Sequence, residues 1–273
     1  MAGAHAEKRL APRVFLAFDD FSLAGQHVIR FADIPGLKRV DGTADSLSSL
    51  GRFAAHVDVW HFVDDAQNPI YIVPHMPHMM TQVSFIAVHN AAIQENEYWA
   101  LADALVTLAS DAEALVIAAA LHLPYAKPLS ATMTPIANVY HSVLNAASSP
   151  AEAEHRDRDS PAITFGASAS SLAHVDSSWE IKDKFLSTLV HFLKVEQSPR
   201  THFLLAKGYK PGRDHAGTYE AVDSLVAAVE AFTNASVAFD TLAIKTQLPR
   251  KLADAPVNVN VQHDNDHHTL LYH

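Results

Sequence analysis

Residues 95–121 read ENEYWALADALVTLASDAEALVIAAAL, and this stretch decides the fold. Tyr98, Leu101, Ala102, Leu105, Leu108 and Ala109 recur at the 3.6-residue spacing of an amphipathic helix. Asp111-Ala112-Glu113 ends that helix, and the run from Ala114 to Leu121 is apolar without interruption, as in a strand buried on both faces. The apolar residues extend only to Pro124, well short of the roughly 18 that span a bilayer. A helix leading directly into a buried strand is half of a crossover unit. The sheet it feeds is therefore expected to be at least partly parallel, and the fold class α/β.

The same reading extends in both directions. Val14 to Phe18 forms a short apolar strand closed by Asp19-Asp20, and Ser22 is positioned to cap an amphipathic segment over 23–31. Residues 33–49 look turn-rich, with Pro35-Gly36 and Asp41-Gly42 as breakers. Three strands are then expected in quick succession, as in a β-meander. Residues 57–63 put Val57, Val59, His61 and Val63 on one face and Asp58, Trp60 and Phe62 on the other. Asn68-Pro69 turns the chain into 70–73, and 82–89 alternates Val83, Phe85 and Ala87 against Gln82, Ser84 and Ile86.

Beyond a polar, Pro-bounded loop at 148–161, Ser177 and Glu180 match a capping box. A helix carrying Ile181, Phe185, Leu189, Phe192 and Leu193 follows to about Val195, and Ser198-Pro199 breaks it. A strand at 202–206 and a helix at 218–232, with Tyr219, Val222, Leu225, Val226 and Val229 on one face, complete the pattern. The expectation is one α/β domain over residues 12–245, a mixed sheet flanked by helices, and a flexible C-terminal tail over 251–273.

Composition narrows the function classes. The chain has 273 residues, 49% of them hydrophobic, enough for one large core. Its net charge of −10 argues against nucleic acid and anionic membrane as partners, since both need clustered Lys and Arg. With no cysteine, disulfides, thiolate catalysis and zinc–thiolate sites are all excluded. Residues 1–12 carry Lys8 and Arg9 but no apolar core of a signal peptide, so a soluble, cytoplasmic chain is expected.

Chemistry-bearing motifs are sparse. Of 18 histidines, His75 and His78 sit between Pro74 and Pro77, which deny them helical i, i+3 geometry. His263, His267 and His268 lie in a polar tail and read as spacer; no metal and no cofactor is expected. Residues 165–170, FGASAS, lack the glycine pattern of a phosphate cradle, and 208–213, GYKPGR, reads as a strand–helix loop. Asp19-Asp20 closes a strand, where active sites of parallel sheets lie. That leaves an α/β enzyme of nucleoside-phosphorylase-like or hydrolase type as the alternative reading.

The last residues, Leu271-Tyr272-His273, fit the pattern hydrophobic–Tyr–any residue. Such a terminus offers an apolar side chain, a phenol and a carboxylate that one pocket lysine can pair with. The run from Phe185 to Val195, then Pro199, Phe203-Leu204-Leu205-Ala206 with Tyr209, and Tyr219-Glu220-Ala221-Val222 resembles the C-terminal half of the proteasome assembly chaperone 1 family. The helix–strand unit at 97–121 fits the same layout. The resemblance implies an α/β fold related to nucleoside phosphorylases but without their active site. It also implies a non-enzymatic chaperone that heterodimerises with proteasome assembly chaperone 2 and promotes 20S α-ring assembly. Its tail would insert between proteasome α-subunits, so Leu271, Tyr272 and His273 carry over as partner-binding residues. Trp60, Phe62, Tyr71 and Phe85 are the expected source of an exposed apolar surface for the second chaperone.

Overall fold

A computed structural model describes residues 10–42, 47–64, 83–123, 139–145, 172–175, 180–209 and 216–254. The elements run β1 (Arg13–Phe18), α1 (Ala24–Arg30), β2 (Ala32–Asp33), β3 (Leu37–Asp41), β4 (Val57–Asp64), β5 (Ser84–Val88) and α2 (Tyr98–Ala109). They continue β6 (Ala114–Leu121), β7 (Val139–Leu144), β8 (Ala173–His174), α3 (Lys184–Glu196), β9 (Arg200–Lys207), α4 (Ala216–Phe232), β10 (Ala238–Phe239) and α5 (Thr241–Asp254). Eight strands form one mixed sheet in the order β3-β4-β5-β1-β6-β9-β7-β8. Its centre is parallel: β1 runs beside β5 and β6, and β6 beside β9. Antiparallel pairs flank it, β3 with β4 and β4 with β5 on one side, β7 with β9 on the other. The α/β class and the mixed, partly parallel sheet agree with the sequence reading.

Alternation along the central strands builds two cores. Val14, Leu16 and Phe18 face α2 and α3 together with Leu115, Ile117 and Leu121, while Phe15 and Ala17 face α1 and α4 with Val116, Ala118 and Ala120. Fully burying each large apolar side chain contributes roughly 1.5–3 kcal/mol, so both layers are needed to hold a sheet this wide. On that side β6 turns from Val116 to Ala118 and Ala120 for a spatial reason. A Cβ on Gly25 would lie 2.4 Å from the Ala118 carbonyl oxygen, so helix and strand approach to backbone contact there. Among the described residues, no helix is long and apolar enough to cross a membrane.

Several details differ from the sequence reading. The turn-rich stretch 33–49 contains β3, and β7 lies in a segment with no expected strand. Neither α1 nor α3 is capped as its motif suggested. Leu23 occupies the N-cap of α1 with no side-chain cap, and the Asp20 carboxylate takes the orphan N–H groups in place of Ser22. Helix α3 starts at Lys184, where Asp183 accepts from Leu186 N at 2.8 Å; Glu180 and Ile181 precede it. The strand expected at 70–73, Ser177 and the loop at 148–161 lie outside the described residues, while α5 runs through Lys251 to Asp254.

Trp60, Phe62 and Phe85 do not form an exposed surface. Each is 1% accessible, because Phe85 stacks between Phe15 and Trp60 at 5.2 and 5.6 Å and meets the edge of Phe62 at 5.5 Å. The Arg39 guanidinium covers the Trp60 ring at 4.3 Å. Tyr71 lies outside the described residues.

Candidate functional site

The carboxyl ends of parallel strands are where an α/β sheet presents ligands, so the ends of β1, β5, β6 and β9 are the first place to look. Asp20, just past β1, is 4% exposed. Its Oδ1 accepts from Ser22 N and Ala24 N at 3.0 Å each, and its Oδ2 accepts from Gly25 N at 2.7 Å and Ala120 N at 2.8 Å. One side chain therefore satisfies the turn, the first turn of α1 and the neighbouring strand. Burial pushes its carboxyl up to about 7, against the pull of those four donors. The gap between β6 and β9 is closed similarly. Gly208 N donates to Leu121 O at 2.6 Å, and the Ser22 hydroxyl accepts from Tyr209 N at 2.6 Å and donates to Tyr209 O at 2.8 Å. A Cβ on Gly208 would meet Ala120 backbone at 2.8 Å, so only glycine lets this loop cross.

Asp19 points the other way, toward β5. Its backbone N–H donates to Asn90 Oδ1 at 2.9 Å, and its carboxylate accepts from Ala91 N at 3.1 Å. Burial raises its carboxyl above the ordinary range, partly offset by Ala91, His89 and Arg30. Beside it, Gln26 Nε2 donates to Val88 O at 2.9 Å and contacts His89 Nδ1 at 3.2 Å. His89 Nε2 lies 2.7 Å from an Arg30 guanidinium nitrogen and 3.1 Å from Asp58 Oδ2, the oxygen that Arg30 also holds, at 2.5 Å. Burial raises the Asp58 carboxyl, but His89 and Arg30 outweigh it and hold the group below its ordinary value. Both ring nitrogens of His89 are thus engaged by neighbouring side chains, the Asp19 carboxylate holds Ala91 N, and Asp20 holds four backbone N–H groups.

Among the described residues, large apolar side chains face solvent singly at Val40 on β3 and Leu242 on α5, and near one another on α2 and α3. Trp99 is 53% exposed and rests edge-on against His191 and Phe192 at 5.3 and 5.4 Å, with Val195 at 61% nearby on α3. A shallow cleft of about 300 Å³ adjoins it, lined by Glu95, Tyr98, Trp99, Ile181, Lys182 and Lys184 among others. Sequence reasoning passed over Trp99, although its signal was present: it falls off the Leu101–Ala102–Leu105 stripe of its own helix.

Leu271, Tyr272 and His273 lie outside the described residues, as do His75, His78, His263, His267, His268 and the stretch 165–170. Among the described residues no group of three or more His, Asp or Glu is arranged to hold a metal ion.

No family model matches the chain, and no curated protein sequence matches it. Solved structures do. The chain is similar to a Thermoplasma acidophilum protein of unknown function, with a TM-score of 0.50 at 10% identity over 95% of this chain and 90% of that one. The likeness is one of fold. It is also similar to Pyrococcus furiosus PbaB, an archaeal proteasome activator, with a TM-score of 0.48 at 8% identity over 89% of this chain and 92% of that one. Pyrococcus furiosus PbaA, an archaeal homolog of proteasome-assembly chaperone, gives 0.43 at 10% identity over 83% and 84%.

Proposed function

We propose that this chain is a non-enzymatic binding module of the proteasome-assembly chaperone type. It pairs with a second chaperone, proteasome assembly chaperone 2, and promotes 20S α-ring assembly in the cytoplasm. Its Leu271-Tyr272-His273 terminus docks between α-subunits. The observation that carries the reading is the order of parts in the C-terminal half. Helix α3, strand β9 and helix α4 occupy the residues on which the family resemblance rests, with Phe185, Leu204 and Val222 in the cores. The alternative, an α/β enzyme working at the strand ends, asks for a free base or acid there; Asp19, Asp20 and His89 are engaged with Ala91, with four backbone N–H groups, and with Gln26 and Asp58.

The test is capture of isolated proteasome α-subunits and of assembled α-ring by the full chain, whose terminus is first verified by intact mass. Tyrosine is a frequent hot-spot residue, so Tyr272→Ala or deletion of 271–273 should cost roughly 1–3 kcal/mol, about five- to 150-fold in affinity. Amidation of His273 should weaken capture as well, by removing the carboxylate charge. The thermal midpoint of the free chain should stay put. Ring binding that survives both changes while stability drops would make Tyr272 a packed residue and remove the reading's main support.

A further inference from the structure

We propose that His141 and His202 form a proton-gated latch that fastens the β7–β8 flank to the rest of the sheet and releases it on acidification. The two residues sit on antiparallel neighbours, where His141 lies opposite Leu204 and His202 opposite Val143. Their rings stack at 5.4 Å with an interplanar angle of 14°, and His141 Nε2 meets His202 Nδ1 at 3.1 Å. Phe232 of α4 packs on both rings, at 5.9 Å from His141 and 5.0 Å from His202. Both histidines are buried, at 4% and 5% exposure.

A hydrogen bond between two imidazoles uses one proton and one lone pair. A first added proton leaves that bond possible but buries a cation. A second sets N–H against N–H. The surroundings accept neither. His141 Nδ1 is buried with no hydrogen-bond partner among the described residues, so in either tautomer it offers nothing that welcomes charge. Around the pair, β9 contributes Arg200, β8 contributes His174 with its ring 6.3 Å from His141, and α4 contributes the uncharged Phe232. No carboxylate among the described residues is bonded to either ring. Burial first, then Arg200 and His141, lowers His202 to about 4. Burial, then His174 and Arg200, lowers His141 below its ordinary value.

The direction follows from linkage. Both groups are bases whose folded values lie below the roughly 6.5 of a free imidazole. Their stabilising contribution is therefore present in full above pH 6.5 and is lost as pH falls toward 4. Opening at the β7–β9 seam frees both rings. β8 contributes only two residues and pairs with β7, so it leaves with it, whereas β5-β1-β6-β9 needs no part of that seam. Two protons taken up per opening make the open population rise by up to about 100-fold per pH unit; one proton gives about tenfold.

Amide hydrogen exchange of the full chain from pH 7.5 to 4.5, corrected for intrinsic rates, tests this. Protection of Val139, His141 and Val143 should fall by at least tenfold per unit below pH 6.5 while that of Leu16 and Ile117 holds. Histidine titration by NMR supplies a measurement that needs no variant: in the folded chain His202 should titrate near 4 and His141 below a free imidazole. In His202→Leu, where it folds, the pH dependence at the seam should drop to one proton or none. Either ring titrating near 6.5 in the native protein, or seam protection that tracks the central strands at every pH, would overturn the proposal.

Discussion

Replacing Asp20 by alanine asks how much of the fold hangs on one carboxylate. In the native chain four N–H groups converge on it, at 2.7–3.0 Å. The four losses differ. Ala120 N lies in the interior of the sheet beyond the reach of water, so stranding it costs about 1–3 kcal/mol. Ser22, Ala24 and Gly25 sit at the turn and first turn of α1, where local fraying lets water in; together their loss compares with removal of an N-cap, about 0.5–2 kcal/mol. The expected destabilisation is therefore roughly 1.5–5 kcal/mol, a large share of the 5–15 kcal/mol typical of a whole domain. Urea unfolding at pH 7.5, followed by circular dichroism, should show the midpoint falling with the slope unchanged. Asp20→Asn should fall between, because an amide retains one acceptor oxygen and turns an NH2 toward the other two donors. An alanine variant within about 1 kcal/mol of the native chain would refute the reasoning, since a hub that contributes so little cannot be holding three elements.

Other expected outcomes concern the same frame. With Asp20 raised to about 7 in the fold and near 3.8 when unfolded, the folded state holds a proton between those values that the unfolded chain has shed. This residue alone then makes stability fall as pH rises through that window, and the stability gap between the native chain and Asp20→Asn should narrow from pH 4.5 to 7.5. A flat or widening gap in paired denaturation curves would mean that the carboxylate stays ionised throughout. Gly25→Ala places a methyl 2.4 Å from Ala118 O and 2.7 Å from Asp20 Oδ2, and should cost at least the 1–3 kcal/mol usual for overpacking, read as a lowered thermal midpoint. Phe85→Ala, stacked between Phe15 and Trp60 with Phe62 edge-on, should cost about 3–5 kcal/mol, whereas half-exposed Trp99→Ala should stay within about 1 kcal/mol.

Local periodicity made α2, α3, α4 and the central strands legible, because each of those segments states its own burial. What escaped was settled elsewhere in the chain. Strand β3 sits at the sheet edge with Lys38, Arg39 and Asp41 exposed, so its residues carry a loop's composition. Strand β7 places Val139 and His141 inward, and histidine reads as polar until a partner such as His202 is known 61 residues away. The choice of Asp20 over Ser22 as cap depends on Ala120 N, a hundred residues downstream. Trp60, Phe62 and Phe85 looked like a surface because strand-face alternation shows which residues share a side, not that α1 and Arg39 will cover it. At the strand ends, the carboxylates were visible in sequence, but their commitment to backbone N–H groups was not.

The place of β1 in the strand order also sets a timetable for a chain emerging from the ribosome. Val14 lies beside Ser84 on one side and Leu115 on the other, 70 and 101 residues later in synthesis. At roughly 5–20 residues per second, the apolar run from Val14 to Phe18 waits about 4–14 seconds for its first neighbour and about 5–20 seconds for its second. During that interval a strand whose residues Val14 to Phe18 are all buried in the finished protein stands without its neighbours. A nascent chain stalled between residues 90 and 110 should therefore be the species most prone to aggregate or to recruit a holdase, and that tendency should fall once β6 has cleared the exit tunnel and can pair with β1.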